Sequence, residues 1–98
     1  MKNYLYHFEF FSGFYESYFY QQINAIDDRD AIKKVVSIFL NSTEDNAEKF
    51  ITEDLNENWT VEKFWNEMDL KFSSGDEGYT LIWIKEVDFD LDTVGKLI

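Results

Sequence analysis

The sequence predicts an α+β domain: a small antiparallel sheet of two hairpins with helices packed on one face, in the order β-β-α-α-α-β-β. Three observations predict it. Apolar residues recur at period two at both ends of the chain and at spacings of three and four in the middle. Turn residues divide each end segment, with "SG" at Ser12 and Gly13 and "SGDEG" from Ser74 to Gly78. Asp27, Ser42 or Thr43, and Thr60 each stand ahead of an apolar-periodic stretch, where a helix N-cap belongs. With 98 residues, no linker and no internal repeat, residues 1–98 read as one domain with one modest core.

The first hairpin comes from "YLYHFEFFSGFYESYFY", in which ten of seventeen residues are aromatic. Tyr4, Tyr6, Phe8 and Phe10 share one face of its first strand; Leu5, His7, Glu9 and Phe11 share the other. A two-residue loop at Ser12 and Gly13 would set Glu9 opposite Glu16, which is unfavourable. A four-residue loop from Ser12 to Tyr15 pairs Phe8 with Phe19 and Tyr4 with Ile23 and separates the glutamates, so this register is preferred. The second strand runs on through "QQINAI".

At Asp27 the period changes. "DDRDAIKKVVSIFL" predicts a helix over residues 28–41, with Ala31, Ile32, Val35, Val36, Phe39 and Leu40 as its apolar stripe. Asp27 caps it, and Asp28 and Asp30 complement its dipole. A second, more acidic helix follows, with Ala47, Phe50, Ile51 and Leu55 inward. A short third helix starts after Thr60, with Val61, Phe64, Trp65 and Met68 inward and Trp59 just ahead of the cap as a staple onto Phe64 or Lys63. "LKFS" and "YTLIWIKEVDFDLD" then predict a second hairpin with a loop of about five residues. Leu81 to Ile84 is apolar on both faces, as in a central strand. Beyond Lys85, Val87, Phe89 and Leu91 alternate with Glu86, Asp88, Asp90 and Asp92, as in a half-exposed strand.

Charge is the strongest global signal. The net charge is −11, beyond the magnitude of about 2 to 8 usual for a small domain. Residues 1–43 carry −1 and residues 44–98 carry −10. Such asymmetry speaks of partners and solubility, not of fold. It argues against direct binding to nucleic acid and for a basic protein partner. The chain has no cysteine, so no disulfide and no thiol chemistry. It has no apolar run of the ~20 residues that span a bilayer and no signal-peptide pattern at its start. The expectation is a cytoplasmic protein without membrane attachment.

Chemistry-bearing motifs are sparse. Asp88, Asp90 and Asp92 match the first three ligand positions of a calcium loop, but Thr93 replaces the turn glycine and no glutamate stands at position twelve. They read instead as the wet face of a strand. His7, the single histidine, could join Glu9 and Glu16, yet no serine–histidine–acid set is in view. The expectation is no enzyme, no metal and no cofactor. The carboxylates that would face a basic partner are Glu44, Asp45, Glu48, Glu53, Asp54 and Glu57 in the middle, then Asp76, Glu77, Glu86, Asp88, Asp90 and Asp92. On a strand, carboxylates two apart lie about 6.6 Å apart; on a helix, those three or four apart lie about 5–6 Å apart at Cβ. A domain about 30 Å across stands beside ~18 duplex phosphates, about half facing a partner. A charge of −10 is of that order.

In general character (small, very acidic, cysteine-free, without an enzyme motif) the chain resembles many phage or mobile-element inhibitors of nucleic-acid enzymes, including some anti-CRISPR proteins. The likeness is of type, and no residue role carries over. It implies an interaction protein acting as a nucleic-acid mimic toward a nucleic-acid-handling partner. Two other readings stand beside it. One is a self-associating accessory domain, in which acidity only aids solubility; Leu5, Phe11, Phe14, Tyr18 and Tyr20, left on the face without helices, would then form a homodimer contact. The other is a small-ligand binder with an aromatic pocket between sheet and helices.

Overall fold

The structure, a computed structural model, describes residues 1–90. Strands β1 (Lys2–Ser12) and β2 (Tyr15–Ala25) are followed by helices α1 (Asp28–Phe39), α2 (Glu44–Asp54) and α3 (Val61–Glu67), then strands β3 (Lys71–Ser74) and β4 (Glu77–Val87). Among the described residues the strands form one antiparallel sheet in the order β2-β1-β4-β3. The predicted α+β architecture and element order are those observed.

Both hairpins turn in two residues. Phe8 pairs with Phe19 and Tyr4 with Ile23, the preferred register, but the strands extend to Ser12 and Tyr15 and leave only Gly13 and Phe14 in the loop. The second loop is Gly75 and Asp76 rather than about five residues. In each turn glycine comes first, at φ 61° and 67°. That backbone region is costly for any side chain and lets so short a loop follow the sheet twist. The Gly13 amide donates to the Asp76 carbonyl (3.0 Å), so the two turns sit side by side.

The helix ends follow the local chemistry. Asp27, Thr43 and Thr60 each accept a bond from the backbone amide three residues on, at 2.8, 3.1 and 3.1 Å. Helix α1 stops at Phe39 rather than Asn41 because Asn41 takes a positive φ of 51°. Its amide donates to the Ile38 carbonyl and the Ser42 amide to the Ser37 carbonyl, which satisfies two end carbonyls at once.

All three helices cover one face of the sheet. Tyr6, Phe8, Phe72 and Leu81 meet Ile32, Val35, Val36 and Phe39 of α1, and Ala47, Ile51, Trp59, Phe64 and Met68 close the core. Phe50, expected inward, lies at the rim and is partly exposed. Strand β4 reaches both faces because it bulges. His7 pairs with Trp83 but Phe8 pairs with Leu81, so Ile82 is the extra residue. Leu81 and Ile84 therefore point to the helices, Trp83 points away, and Ile82 is exposed. Beyond Val87 the strand stops, so Asp88, Phe89 and Asp90 do not continue it as expected; Leu91 and Asp92 lie outside the described residues.

Two consequences are measurable. A Cβ on the buried Gly78 would collide with the Phe72 carbonyl oxygen and the Ser73 backbone of β3. Gly78→Ala should cost roughly 1–3 kcal/mol in urea unfolding, whereas Ile38→Ser at an exposed site should change stability by less than about 0.5 kcal/mol. Tyr4 is fully buried and its hydroxyl donates to Asp28 Oδ1 at 2.9 Å. Burial first, then that bond and the Asp28 charge, hold its ionisation well above the ordinary tyrosine value of 10.0. The unfolded chain then loses this proton first. Stability should be intact below pH 10 and fall above it, by up to about 1.4 kcal/mol per pH unit from this group. Urea unfolding at rising pH should show the decline, and Tyr4→Phe should flatten it.

Candidate functional site: an acidic helix layer opposite an aromatic sheet face

Between residues 44 and 69 lie nine acids and two bases, on α2, on α3, on the segment joining them and, for Asp69, just beyond α3. Eight of the nine acids are exposed. Glu48 is the ninth, and it is engaged internally. Arg29 of α1 donates to Glu48 Oε1 (3.0 Å) and to the Trp59 carbonyl (2.9 Å), and its guanidinium lies 4.1 Å from the centre of the Trp59 ring. The Trp59 indole donates to the same Glu48 oxygen at 3.4 Å. This cluster ties α1, α2 and the α2–α3 segment together. Trp59 is thus a buried core residue as well as a neighbour of Phe64 (ring centres 6.2 Å), a deeper role than a staple.

The twelve acids expected to face a partner do not form one patch. Glu44, Asp45, Glu53, Asp54 and Glu57 are exposed along α2 and just beyond it. Asp76 and Glu77 stand at the sheet end that carries the two turns. Glu86, Asp88 and Asp90 are at the opposite end, and Glu86 pairs with Lys2 at 3.5 Å. Asp92 lies outside the described residues.

Position along the helices separates these acids further. Asp28, Asp30, Glu44, Asp45 and Glu62 occupy first turns, where the helix dipole favours them. Glu53 and Asp54 occupy the last turn of α2, the dipole's negative end, and no basic residue stands in the last turn of α1, α2 or α3. There each carboxylate costs about 0.3–1 kcal/mol.

The uncovered face of the sheet is aromatic. His7 stacks on Tyr20 (4.3 Å, 11°) and meets the edge of Trp83 (5.4 Å). Lys71 lies 4.9 Å over Phe11 and Lys85 lies 4.6 Å over Trp83. Tyr18 and Tyr20 are exposed, Leu5 and Phe11 are half-buried, and Phe14 projects from the turn fully into solvent. Trp83 lies on the opposite side of the sheet from Ile84, as strand alternation predicts, whereas Lys71 and Lys85 were not anticipated here. The Ile82 bulge, which leaves no mark in the hydrophobic pattern, lets Leu81 lie under the helices together with Ile84.

The Glu9 carboxylate, on the cross-strand partner of Tyr18, raises the ionisation of that tyrosine. His7 Nδ1 is buried without a partner. Among the described residues no three His, Cys, Asp or Glu side chains are arranged to hold a metal ion. A cleft of about 540 Å³ opens beside Phe39, Phe50, Phe72 and Tyr79. Of the polar residues beside it, Ser74 and Glu77 share the strand face of Phe72 and Tyr79, and both are exposed, so neither is fixed to orient a ligand. No helix among the described residues is long and apolar enough to cross a membrane.

The Arg29 cluster gives a direct check on how the acidic layer is held. Arg29→Ala should lower stability by about 1–3 kcal/mol, since it removes two hydrogen bonds and the ring contact. Arg29→Lys should recover only part of this, because an ammonium cannot serve the carboxylate, the carbonyl and the ring in one plane. Thermal or urea unfolding of the two variants makes the comparison. Against protein-family models, curated proteins and solved structures, the chain has no significant match.

Proposed function

We propose that this is a non-catalytic interaction protein whose acidic helix layer occupies a basic site on a nucleic-acid-handling partner, with carboxylates standing where phosphates would. The supporting observation is the set Glu53, Asp54 and Glu57. The first two sit where the helix dipole opposes them, all three are exposed, and none forms an ion pair among the described residues. Acids kept only for solubility have no reason to gather at the end of a helix that they destabilise. A charge placed at a cost to the fold is the pattern expected of a binding residue. The set also lies on the opposite side of the sheet from the aromatic face, so it can meet a partner without that face.

Binding of this kind spreads over many contacts. Each exposed pair is worth about 0.2–1 kcal/mol. A single change such as Asp88→Asn should be mild. Reversing Glu53, Asp54 and Glu57 to Lys together should weaken binding by at least about tenfold, while the thermal midpoint holds or rises. The partner is to be captured from the native host and identified by mass spectrometry. Binding should weaken steeply with salt, and DNA or RNA should compete for the same site. A captured partner that binds nucleic acid and this protein together, with affinity indifferent to salt, would overturn the reading.

A further inference from the structure

The uncovered sheet face has a charge balance unlike that of the molecule. The chain carries −11. The strand register places Glu9 and Glu16 on this face from β1 and β2, and Lys71 and Lys85 from β3 and β4. The face is therefore neutral, with its acids on one half and its bases on the other. Two copies can approach through it without the repulsion that any contact through the helix layer would meet. Its size also suffices. Eleven-residue strands at ~3.4 Å per residue and three to four strands at ~4.8 Å give a face on the order of 35 by 15 Å. Standing rings bring its accessible area toward the ~800 Å² per partner of a stable interface.

We infer that this face is the interface of a homodimer in which two sheets pack face to face about a two-fold axis running along the strands. Such an axis lays β1 and β2 of one copy over β4 and β3 of the other. Tyr18, Glu9, Thr80 and Lys71 form one row across the sheet. The rotation reverses that row onto itself, so Lys71 of the second copy comes over the Tyr18–Glu9 pair, with Glu16 one step along β2. A two-fold axis across the strands would bring no lysine to either glutamate. The dimer is independent of what the acidic layer binds.

Sedimentation equilibrium tests this. The wild-type chain should be dimeric at tens of micromolar. Tyr18→Ser with Tyr20→Ser, both exposed positions, should raise the dissociation constant at least about tenfold with the far-ultraviolet circular dichroism unchanged. Lys71→Glu should also dissociate the dimer, and adding Glu16→Lys should restore it. A wild-type monomer at about 100 µM, weaker than any ordinary homodimer contact, overturns the inference. So does a dimer indifferent to the two serine changes, which would place the contact on the free β2 edge or the helices.

Discussion

A strand has two faces, and the three helices cover only one of them. That constraint shapes most of what is unusual here. Strand β1 lies inside the sheet, paired along its length to β2 on one side and β4 on the other. Its even-numbered aromatics, Tyr4, Tyr6 and Phe8, anchor the core, so its odd-numbered side chains must emerge on the side that no helix reaches. The aromatic density of the N-terminal hairpin thus serves two surfaces. The Ile82 bulge extends the pattern to β4: it keeps both Leu81 and Ile84 under the helices, with Trp83 on the far side, beside His7 and Tyr20.

How that far side tolerates water can be read residue by residue. The most exposed rings on β2 are tyrosines, whose hydroxyls can remain solvated. The groups without a hydroxyl are partly sheltered. Phe11 lies under Lys71 and Trp83 under Lys85, so lysine stems cover apolar area while their ammonium groups stay in solvent. The shelter is thin, and Phe14 has none.

Much of the fold was legible because its determinants are local. The caps at Asp27, Thr43 and Thr60, the stripe of α1 and the avoidance of opposed glutamates all act within a few residues, and each led to the observed element or register. What the sequence hid depends on distant partners. Both turns are shorter than expected because strand pairing continued to the glycines. Strand β4 ends at Val87, opposite Asn3, although the alternation runs on, since β1 extends only one residue past Asn3. Arg29 gave no hint of reaching Trp59 and Glu48, which lie 30 and 19 residues away. The acidic excess was plain from composition. Its division into three groups was not, because strand β4 carries Glu77 and Glu86 to opposite ends of the sheet.

Net charge alone says little about what an acid is for; position says more. Asp27 caps a helix, Asp28 holds the Tyr4 hydroxyl, Asp30 accepts from the Ile26 amide and faces Lys34, and Glu48 receives Arg29. These carboxylates have partners that account for them within the fold. Glu44, Asp45 and Glu62 are accounted for by the first turns they occupy. Glu53, Asp54 and Glu57 have neither partner nor favourable dipole. Water and salt screen such charges over about 8 Å, so the fold can carry them at modest cost, but nothing in the fold rewards them. A basic surface placed against the end of α2 would reverse that sign, since it would meet the α2 carbonyl ends and the three carboxylates together. The end of α2 is thus where these acids are least explained by folding.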